Sequence, residues 1–249
     1  MKSLISIIIP YYKKKKFFKK TINSVINQSY KNFEVILIYD DVNKLDLKFI
    51  NFTLKKIKNK KIVINKKNLG AGMSRNIGIK NSKGKFIAFL DSDDVWHKNK
   101  LKKQINFMKK NKTDFSFSDY LIIDKNEKVL KKIKAPKKII FKNLLYACDI
   151  GLSSVMIKSK LLKINKFSDL KTKEDYLLWL KLSKKNIKML GINKPLAYWR
   201  KTNNSLSSST IQKLIDAFSI YNKYLKFNFL NSLALTFILS INFLKKRYL

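Results

Sequence analysis

Lys85–His97 reads KFIAFLDSDDVWH. An apolar run, Phe86 to Leu90, stops at Asp91-Ser92-Asp93-Asp94. A short uninterrupted apolar run after a glycine, here Gly84, is the pattern of a buried strand. Three carboxylates within four residues repel one another. At the end of a buried strand that repulsion is costly unless a cation neutralises it. A hard ion such as Mg²⁺ or Mn²⁺ fits, because it binds oxygen and shares its shell with substrate phosphates. The plainer alternative is a solvated acidic turn capping the helix that follows. On this stretch alone both readings stand.

Working back from that strand, the first hundred residues alternate in period. Leu4–Ile9 is a β-branched run ended by Pro10, and Phe33–Ile38 is a second strand leading into Tyr39-Asp40-Asp41. Ile62–Ile64 is a short third. Between them, Phe18, Ile22, Val25 and Ile26 predict a helix over Phe17–Gln28, and Leu47, Ile50, Leu54 and Ile57 mark another. Asn68–Gly72 reads as a flexible loop before a short helix, Met73–Lys80, that carries Arg75. The loop contains GxG but lacks the full dinucleotide fingerprint, and no GxxxxGK[ST] occurs. Strand–helix alternation predicts an α/β fold with a doubly wound, mostly parallel sheet. Ligands of such sheets bind at the carboxyl ends of strands, where Tyr12, Asp40 and Asp93 would gather.

Beyond residue 100 the order is less regular. Leu101, Ile105 and Met108 mark a helix, and Asp114–Tyr120 alternates as a half-buried strand. Lys125–Lys138 is charged and turn-like; Phe141–Ala147 predicts a short helix and Gly151–Ile157 a strand. Lys173–Leu182, KEDYLLWLKL, is helical, with Glu174 and Asp175 in a first turn where acids complement the helix dipole. Ile187–Leu190 and Leu196–Arg200 read as strands, and Asn203–Ser209 as a polar linker. The tail is expected as a separate element: an amphipathic helix through Ile211–Tyr221, then an uncharged stretch, Phe227–Leu244, ending in Lys245-Lys246-Arg247. Asn228, Ser232, Thr236 and Ser240 recur every four residues as a narrow polar stripe. Three placements are open: in the plane of a membrane surface, which the stripe and flanking lysines favour, across the bilayer, or packed on protein.

Composition narrows the partners. The 249 residues carry 55 Lys and Arg against 16 Asp and Glu, a net charge of +39, and only Arg75, Arg200 and Arg247 are arginines. Lysines spread along the whole chain, with the usual base-reading residue scarce, argue against sequence-specific nucleic-acid recognition. An anionic membrane surface or a diphosphate substrate fits better. Cys148 is the single cysteine, which rules out an intrachain disulfide. The apolar run of MKSLISIIIP is too short for a signal peptide. The lone histidine, His97, reads as an ordinary helix-entry residue.

Six segments in order, ISIIIPYY, SVINQSYKNFEVILIYDD, NLGAGMSRNIGI, GKFIAFLDSDDVWHKNKL, KEDYLLWLKL and LAYWRKTNNSLS, make the chain resemble family-2 glycosyltransferases of GT-A fold. The resemblance covers about residues 3–208 and is closest to bacterial enzymes of teichuronic acid, capsule and lipopolysaccharide synthesis. It implies a Rossmann-like GT-A catalytic domain over 1–208, with a nucleotide-sugar-binding half (1–100) and an acceptor half (101–208). Residues 209–249 would then be a membrane-associating helical tail. The implied activity is inverting, metal-dependent transfer from a nucleotide sugar, a UDP-sugar by preference, to a glycan or lipid-linked glycan acceptor. The implied location is the cytoplasmic face of the bacterial inner membrane. Alternatives are a polyprenyl-phosphate sugar transferase, or a basic membrane- or polyanion-binding module without activity.

Residue by residue, the resemblance puts Pro10 and Tyr12 against the nucleotide base. Asp40 would accept from the base imide, and Arg75 would lie near base and diphosphate. Asp91 and Asp93 match the DxD pair: Asp93 holds Mn²⁺ or Mg²⁺, and Asp91 lies near the ribose or donor sugar. Asp175 matches the catalytic base, and Arg200, after Trp199, would contact diphosphate or acceptor. Asp94 is expected to cap the next helix. Tyr39 stands where the family's usual DDGS has its first Asp, so an alternative register gives the base to Asp41. Lys13 replaces a common Asn, and no His follows Arg200.

Overall fold

The computed structural model describes residues 2–202 and 209–248. All but the last residue of the linker predicted over Asn203–Ser209 lies outside the described residues, as do residues 1 and 249. One ten-stranded sheet carries the chain, in the order β3-β2-β1-β4-β9-β6-β10-β5, with β7 beside β6 and β8 beside β10. The first half comprises β1 (Ile5–Tyr11), α1 (Lys15–Ile26), β2 (Phe33–Tyr39), α2 (Leu47–Leu54), β3 (Lys60–Ile64), α3 (Ala71–Lys80) and β4 (Phe86–Phe89). Its strands are all parallel, β1 pairing with both β2 and β4. Ile5, Ile7, Ile9 and Tyr11 face one helical layer, with Phe18 and Ile22 of α1 and Ile50 and Leu54 of α2. Ile8 and Ile36 face the other. A strand apolar on both faces needs cover on both, which is why these runs are continuous rather than alternating.

The second half is mixed. After β5 (Val95–Trp96) and α4 (Lys100–Lys110), β6 (Phe115–Ile123) runs parallel to β10 (Met189–Arg200). Between β4 and β6, β9 (Met156–Lys158) wedges in antiparallel to both. Several sequence readings change here. The charged segment after residue 125 contains β7 (Val129–Ile133) and β8 (Lys138–Ile139). β7 is half solvent-facing, and edge lysines there keep another chain from adding to it. Gly151–Ile157 is not one strand but a 3₁₀ turn, Leu152–Ser154, followed by β9. The two strands expected at the end are the single β10, with register shifts around Pro195 where the ladder lacks a donor. Pro10 lies inside β1 rather than ending it. A helix after β9, counted with α5 (Phe141–Tyr146) as α6 (Ser159–Ile164), was not anticipated.

The tail closes the second layer. α7 (Glu174–Lys184) buries Tyr176, Leu177, Leu178, Trp179, Leu180 and Leu182. A helix with so wide an apolar surface needs cover on more than one side. The sheet covers one, through the Phe115–Trp179 ring pair at 4.9 Å. The tail supplies further cover: Ala217 of α8 (Thr210–Ser219), Ile220 and Tyr221 of the following π-helical turn, and Leu239 of α9 (Phe229–Tyr248) join the same core. The middle of the polar stripe turns inward, while Asn228 at its start stays exposed. Ser232 and Thr236 are buried, and each hydroxyl donates to the carbonyl four residues back at 2.7 Å. Phe229, Leu230, Leu233, Phe237, Phe243 and Leu244 face outward instead. Among the described residues no helix is long and apolar enough to cross a membrane.

α3 lies close on β1 because Gly78 has no side chain: a Cβ there would come 2.5 Å from Cγ2 of Ile8. Gly78→Ala gains about 1 kcal/mol of helix propensity but incurs about 1–3 kcal/mol of overpacking. The expected outcome in urea denaturation is a net loss of about 1 kcal/mol. A raised midpoint would mean that α3 can lift off the strand.

Candidate active site

The carboxyl ends of β1, β2 and β4 line up along one edge. Asp40 N–H donates to the Tyr11 carbonyl at 2.8 Å, and Leu90 N–H to that of Ile8 at 3.1 Å. Tyr12 leaves β1 half exposed. Lys13 follows with φ +50°, a left-handed conformation unusual for a side chain of this kind. After that bend the Lys14 ammonium reaches Asp93 Oδ2 at 2.9 Å and lies 3.4 Å from Thr202 Oγ1.

Within the Asp91–Asp94 turn the three carboxylates have separate partners. Asp93 holds Lys14; burial raises its pKa, Lys14 opposes that, and Asp91 adds to it. Asp91 takes the Arg75 guanidinium on Oδ1 at 2.7 Å and keeps part of its carboxylate exposed. Asp94 does not cap a helix: α4 begins six residues after it, at Lys100, and Asn99 takes the cap position. It is buried, accepting from Ser153 Oγ at 2.6 Å and from the Arg200 backbone N–H at 2.9 Å. Burial and the neighbouring carboxylates push its pKa well up. His97 does stand at the helix entry, its Nδ1 accepting from Asn99 N–H at 3.1 Å.

Arg75 is the centre of the site. It is buried on α3 and divides its guanidinium between Asp91 at 2.7 Å and Glu174 Oε1 at 2.5 Å. Burial disfavours its charge, but Asp91 and Glu174 outweigh that and hold it protonated beyond the usual arginine range. Glu174 is thereby spent on Arg75, and Asp175 beside it is left facing the same region. Asp175 Oδ1 accepts from the Tyr176 N–H at 2.7 Å. Burial first, then the Glu174 charge, push its pKa up to about 7, against Arg75. The run Lys173-Glu174 is set by a left-handed Lys173, φ +60°.

On the base side, Asp40 is engaged. Its carboxylate accepts from Asn65 Nδ2 at 2.7 Å and from the backbone N–H groups of Leu69 and Gly70, each at 2.9 Å. The Asn68–Gly70 loop is therefore pinned rather than flexible, and Ala71 and Gly72 already belong to α3. Gly70 has φ +81°, which asks for glycine. Asp41 is also buried, with one long contact, 3.5 Å, from Asn43 N–H. Beside them a surface hollow of about 370 Å³ opens between Val42, Lys44, Ile64, Asn65 and Lys66. Pro10 stays within β1, next to Ile38.

Arg200 is placed under the turn. Its side chain has no exposed surface; Nε donates to the Asp93 carbonyl at 2.9 Å, one Nη to the Asp124 carbonyl and the other to Glu127 at 2.9 Å. The structure thus brings Asp91, Asp93, Arg75 and Asp175 together, and sets Arg200 behind them. Lys14, Glu174 and Ser153 were not anticipated as parts of the site. Lys14 sits in a run of four lysines, so nothing local marks it out.

No group of three or more His, Cys, Asp or Glu among the described residues could by itself hold a metal ion. The carboxylates nonetheless fit a hard divalent ion of the kind that takes one or two protein oxygens and completes its shell with phosphate and water. An ammonium already seated on Asp93 marks that oxygen as a place for positive charge.

The chain matches the family described as glycosyl transferase family 2 over residues 6–167. It belongs to that family. The family-2 chain is 32% identical to TuaG of Bacillus subtilis, a proposed teichuronic acid biosynthesis glycosyltransferase, over 99% of this chain and 98% of that one. It is 37% identical to WfgD of Escherichia coli, over 85% of this chain and 82% of that one. WfgD is named as a UDP-Glc:α-D-GlcNAc-diphosphoundecaprenol β-1,3-glucosyltransferase. The fold matches the crystal structure of S. aureus TarS residues 1–349 with UDP-GlcNAc, at TM-score 0.75 and 22% identity, covering 92% of this chain and 69% of that one. It also matches the mannosyltransferase PcManGT of Pyrobaculum calidifontis with GDP-Man and Mn²⁺, at TM-score 0.68 and 11% identity, covering 93% and 69%. The GT-A fold and a glycosyltransferase of family 2 are therefore established.

Replacing the buried guanidinium leaves two carboxylates facing each other without a cation. Arg75→Met is expected to lower the unfolding free energy by about 3–5 kcal/mol, measured by chemical denaturation near neutral pH. A loss below about 1 kcal/mol, the range of exposed pairs, would show that water reaches the fork.

Proposed function

We propose that this enzyme transfers a sugar from a UDP-sugar, with inversion, to a sugar carried on a lipid diphosphate. One observation carries the reading: a carboxylate with pKa near 7, Asp175, is tied through Glu174 and Arg75 to the acidic turn that would receive the donor diphosphate. A general base works best when its pKa lies near the working pH. The relatives support the substrate class, since WfgD is named for transfer from UDP-Glc to GlcNAc-diphosphoundecaprenol and TarS was crystallised with UDP-GlcNAc.

In this reading Tyr12 stacks on the base, Pro10 lines its pocket, and Asp41 has the free acceptor capacity while Asp40 holds the 68–70 loop. Asp93, with Asp91, would hold Mn²⁺ or Mg²⁺. Such an ion, when bound, neutralises charge on the departing diphosphate. Arg75 orients Asp91 and Glu174, and Arg200 supports the Asp93 backbone. Asp175 takes the proton from the acceptor hydroxyl. The new bond forms from that oxygen to the anomeric carbon as the bond to the β-phosphate oxygen breaks, and the electron pair leaves on the diphosphate. Attack opposite the leaving group inverts the centre.

We further place the enzyme on an anionic membrane surface, through α8 and α9. Ile211, Leu214 and Ile215 add to the outward apolar side chains of α9. The stretch after Asp216 contains no acidic residue, while Lys223, Lys226 and Lys245-Lys246-Arg247 surround it. Apolar surface and basic charge together suit an anionic lipid interface. A domain boundary near 208 would then separate catalytic from membrane-facing residues without separating two cores.

Turnover with a panel of UDP-sugars, Mn²⁺ and GlcNAc-diphosphoundecaprenol tests the chemistry. Asp175→Asn and Asp93→Asn are each expected to lower kcat by about 100-fold or more. Transfer only to undecaprenyl phosphate would move the enzyme to the polyprenyl-phosphate class. The rate needs Asp175 ionised, so it should fall as pH drops through about 7. Glu174→Gln removes a neighbouring negative charge and should move that fall to lower pH. For the membrane, co-sedimentation with phosphatidylglycerol vesicles, absent with phosphatidylcholine alone, is expected to disappear in Leu233→Glu/Phe237→Glu. Equal binding by that variant would remove the α9 face from the interface.

A further inference from the structure

We infer that the C-terminal helices position the catalytic base, through Asp216 and Tyr221. The inference rests on Asp175 being that base. Asp216 lies on α8, buried, forty-one positions beyond Asp175. Its Oδ2 accepts from both the backbone N–H and the hydroxyl of Thr172, each at 2.7 Å, and its Oδ1 accepts from Gln212 Nε2 at 2.9 Å. Hydrogen bonds to an ionised acceptor are roughly twice as strong as neutral ones. Two of the three fix one residue, Thr172.

Thr172 stands directly before the left-handed Lys173 that starts α7. An L-residue in that conformation costs about 1–2 kcal/mol and persists only where its surroundings hold it. On the other side of the base, the Tyr176 hydroxyl donates to the Leu144 carbonyl and lies 2.9 Å from that of Tyr221, which donates to the Leu145 carbonyl at 2.6 Å. The tail therefore holds the residue three before Asp175 by two hydrogen bonds and packs against the one after it, the two phenols meeting beside the Leu144-Leu145 carbonyls. Arg75, from α3, grips Glu174 between them. Neither Asp216 nor Tyr221 is placed against substrate; both act through the backbone that carries Asp175. Misplacing a reacting group by about 1 Å can cost about 100-fold in rate.

The test uses the full chain and two variants of one residue. Asp216→Ala removes the acceptors; Asp216→Asn keeps an amide oxygen for Thr172, with the Gln212 amide turned to match. Expected for Asp216→Ala is faster amide hydrogen exchange at Lys173–Tyr176, and kcat at least tenfold lower with the KM for the UDP-sugar within twofold. Asp216→Asn should recover kcat to within threefold of wild type. A kcat for Asp216→Ala within twofold of wild type overturns the inference. So does a loss that Asp216→Asn does not recover, or one accompanied by an equal rise in donor KM, since either marks a general structural defect. If Asp216→Ala does not fold, Tyr221→Phe, which removes one hydroxyl and no carbon, is judged by the same exchange and kcat criteria. Asp175→Asn separates the two levels: full activity there overturns the base assignment, whereas an inactive Asp175→Asn beside a fully active Asp216→Ala overturns the tail's role alone.

Discussion

A single buried guanidinium decides how the two halves of this enzyme meet. Arg75 comes from the parallel half, and its partners come from the ends of β4 and the start of α7. Taking these charges out of water is expensive, and a well-packed apolar cluster of the same volume could be as stable. What the ionic fork supplies is geometry. A planar group with fixed donor directions can satisfy two carboxylates in one arrangement only. That arrangement sets the acidic turn and the Glu174-Asp175 pair at a defined separation. It also explains the division of labour in the pair. Glu174 pairs directly with Arg75, and its charge, after burial, helps to raise the pKa of Asp175.

Around the fork, three of the positive-φ positions stand where the chain enters the site. Lys13, Gly70 and Lys173 all have positive φ, and they stand just after β1, just before α3 and just before α7. Two of the three are lysines, which gain nothing from that conformation. Each is followed by a contact that repays it. Lys14 reaches Asp93, the Gly70 amide reaches Asp40, and Glu174 reaches Arg75.

Much of this was legible before any coordinates. The continuous apolar runs gave the parallel strands, and their ends located Asp40, Asp91 and Asp93, because side-chain patterning and strand polarity are local properties. Asp94 was misread for the opposite reason: its partners, Ser153 and the Arg200 amide, lie 59 and 106 positions away and leave no local mark. Arg200 is similar, with its three donors used inside the protein. β7 and β8 hid in a lysine-rich stretch because edge strands tolerate charge. The stripe on α9 was visible, but its direction was not. Ser and Thr hydroxyls that bond back to their own helix need no water, so such a stripe can face protein as readily as solvent.

The extreme charge makes the acidic residues informative. In a chain with 55 basic and 16 acidic residues, where the few carboxylates cluster is informative. Seven of the sixteen, Asp40, Asp41, Asp91, Asp93, Asp94, Glu174 and Asp175, stand at the ends of β2 and β4 or at the start of α7. The last acid in the chain is Asp216, and it is turned inward onto Thr172. Beyond it the sequence carries no acidic residue, and the exposed side chains of α9 include Phe229, Leu230, Leu233, Phe237, Phe243 and Leu244. One short helix thus carries both faces of the problem: an outward side that suits anionic lipid and an inward carboxylate tied to the turn before Asp175. If the proposed function holds, anything that orients α8 at a membrane acts, through two hydrogen bonds to a single threonine, on the carboxylate proposed to meet a lipid-borne hydroxyl.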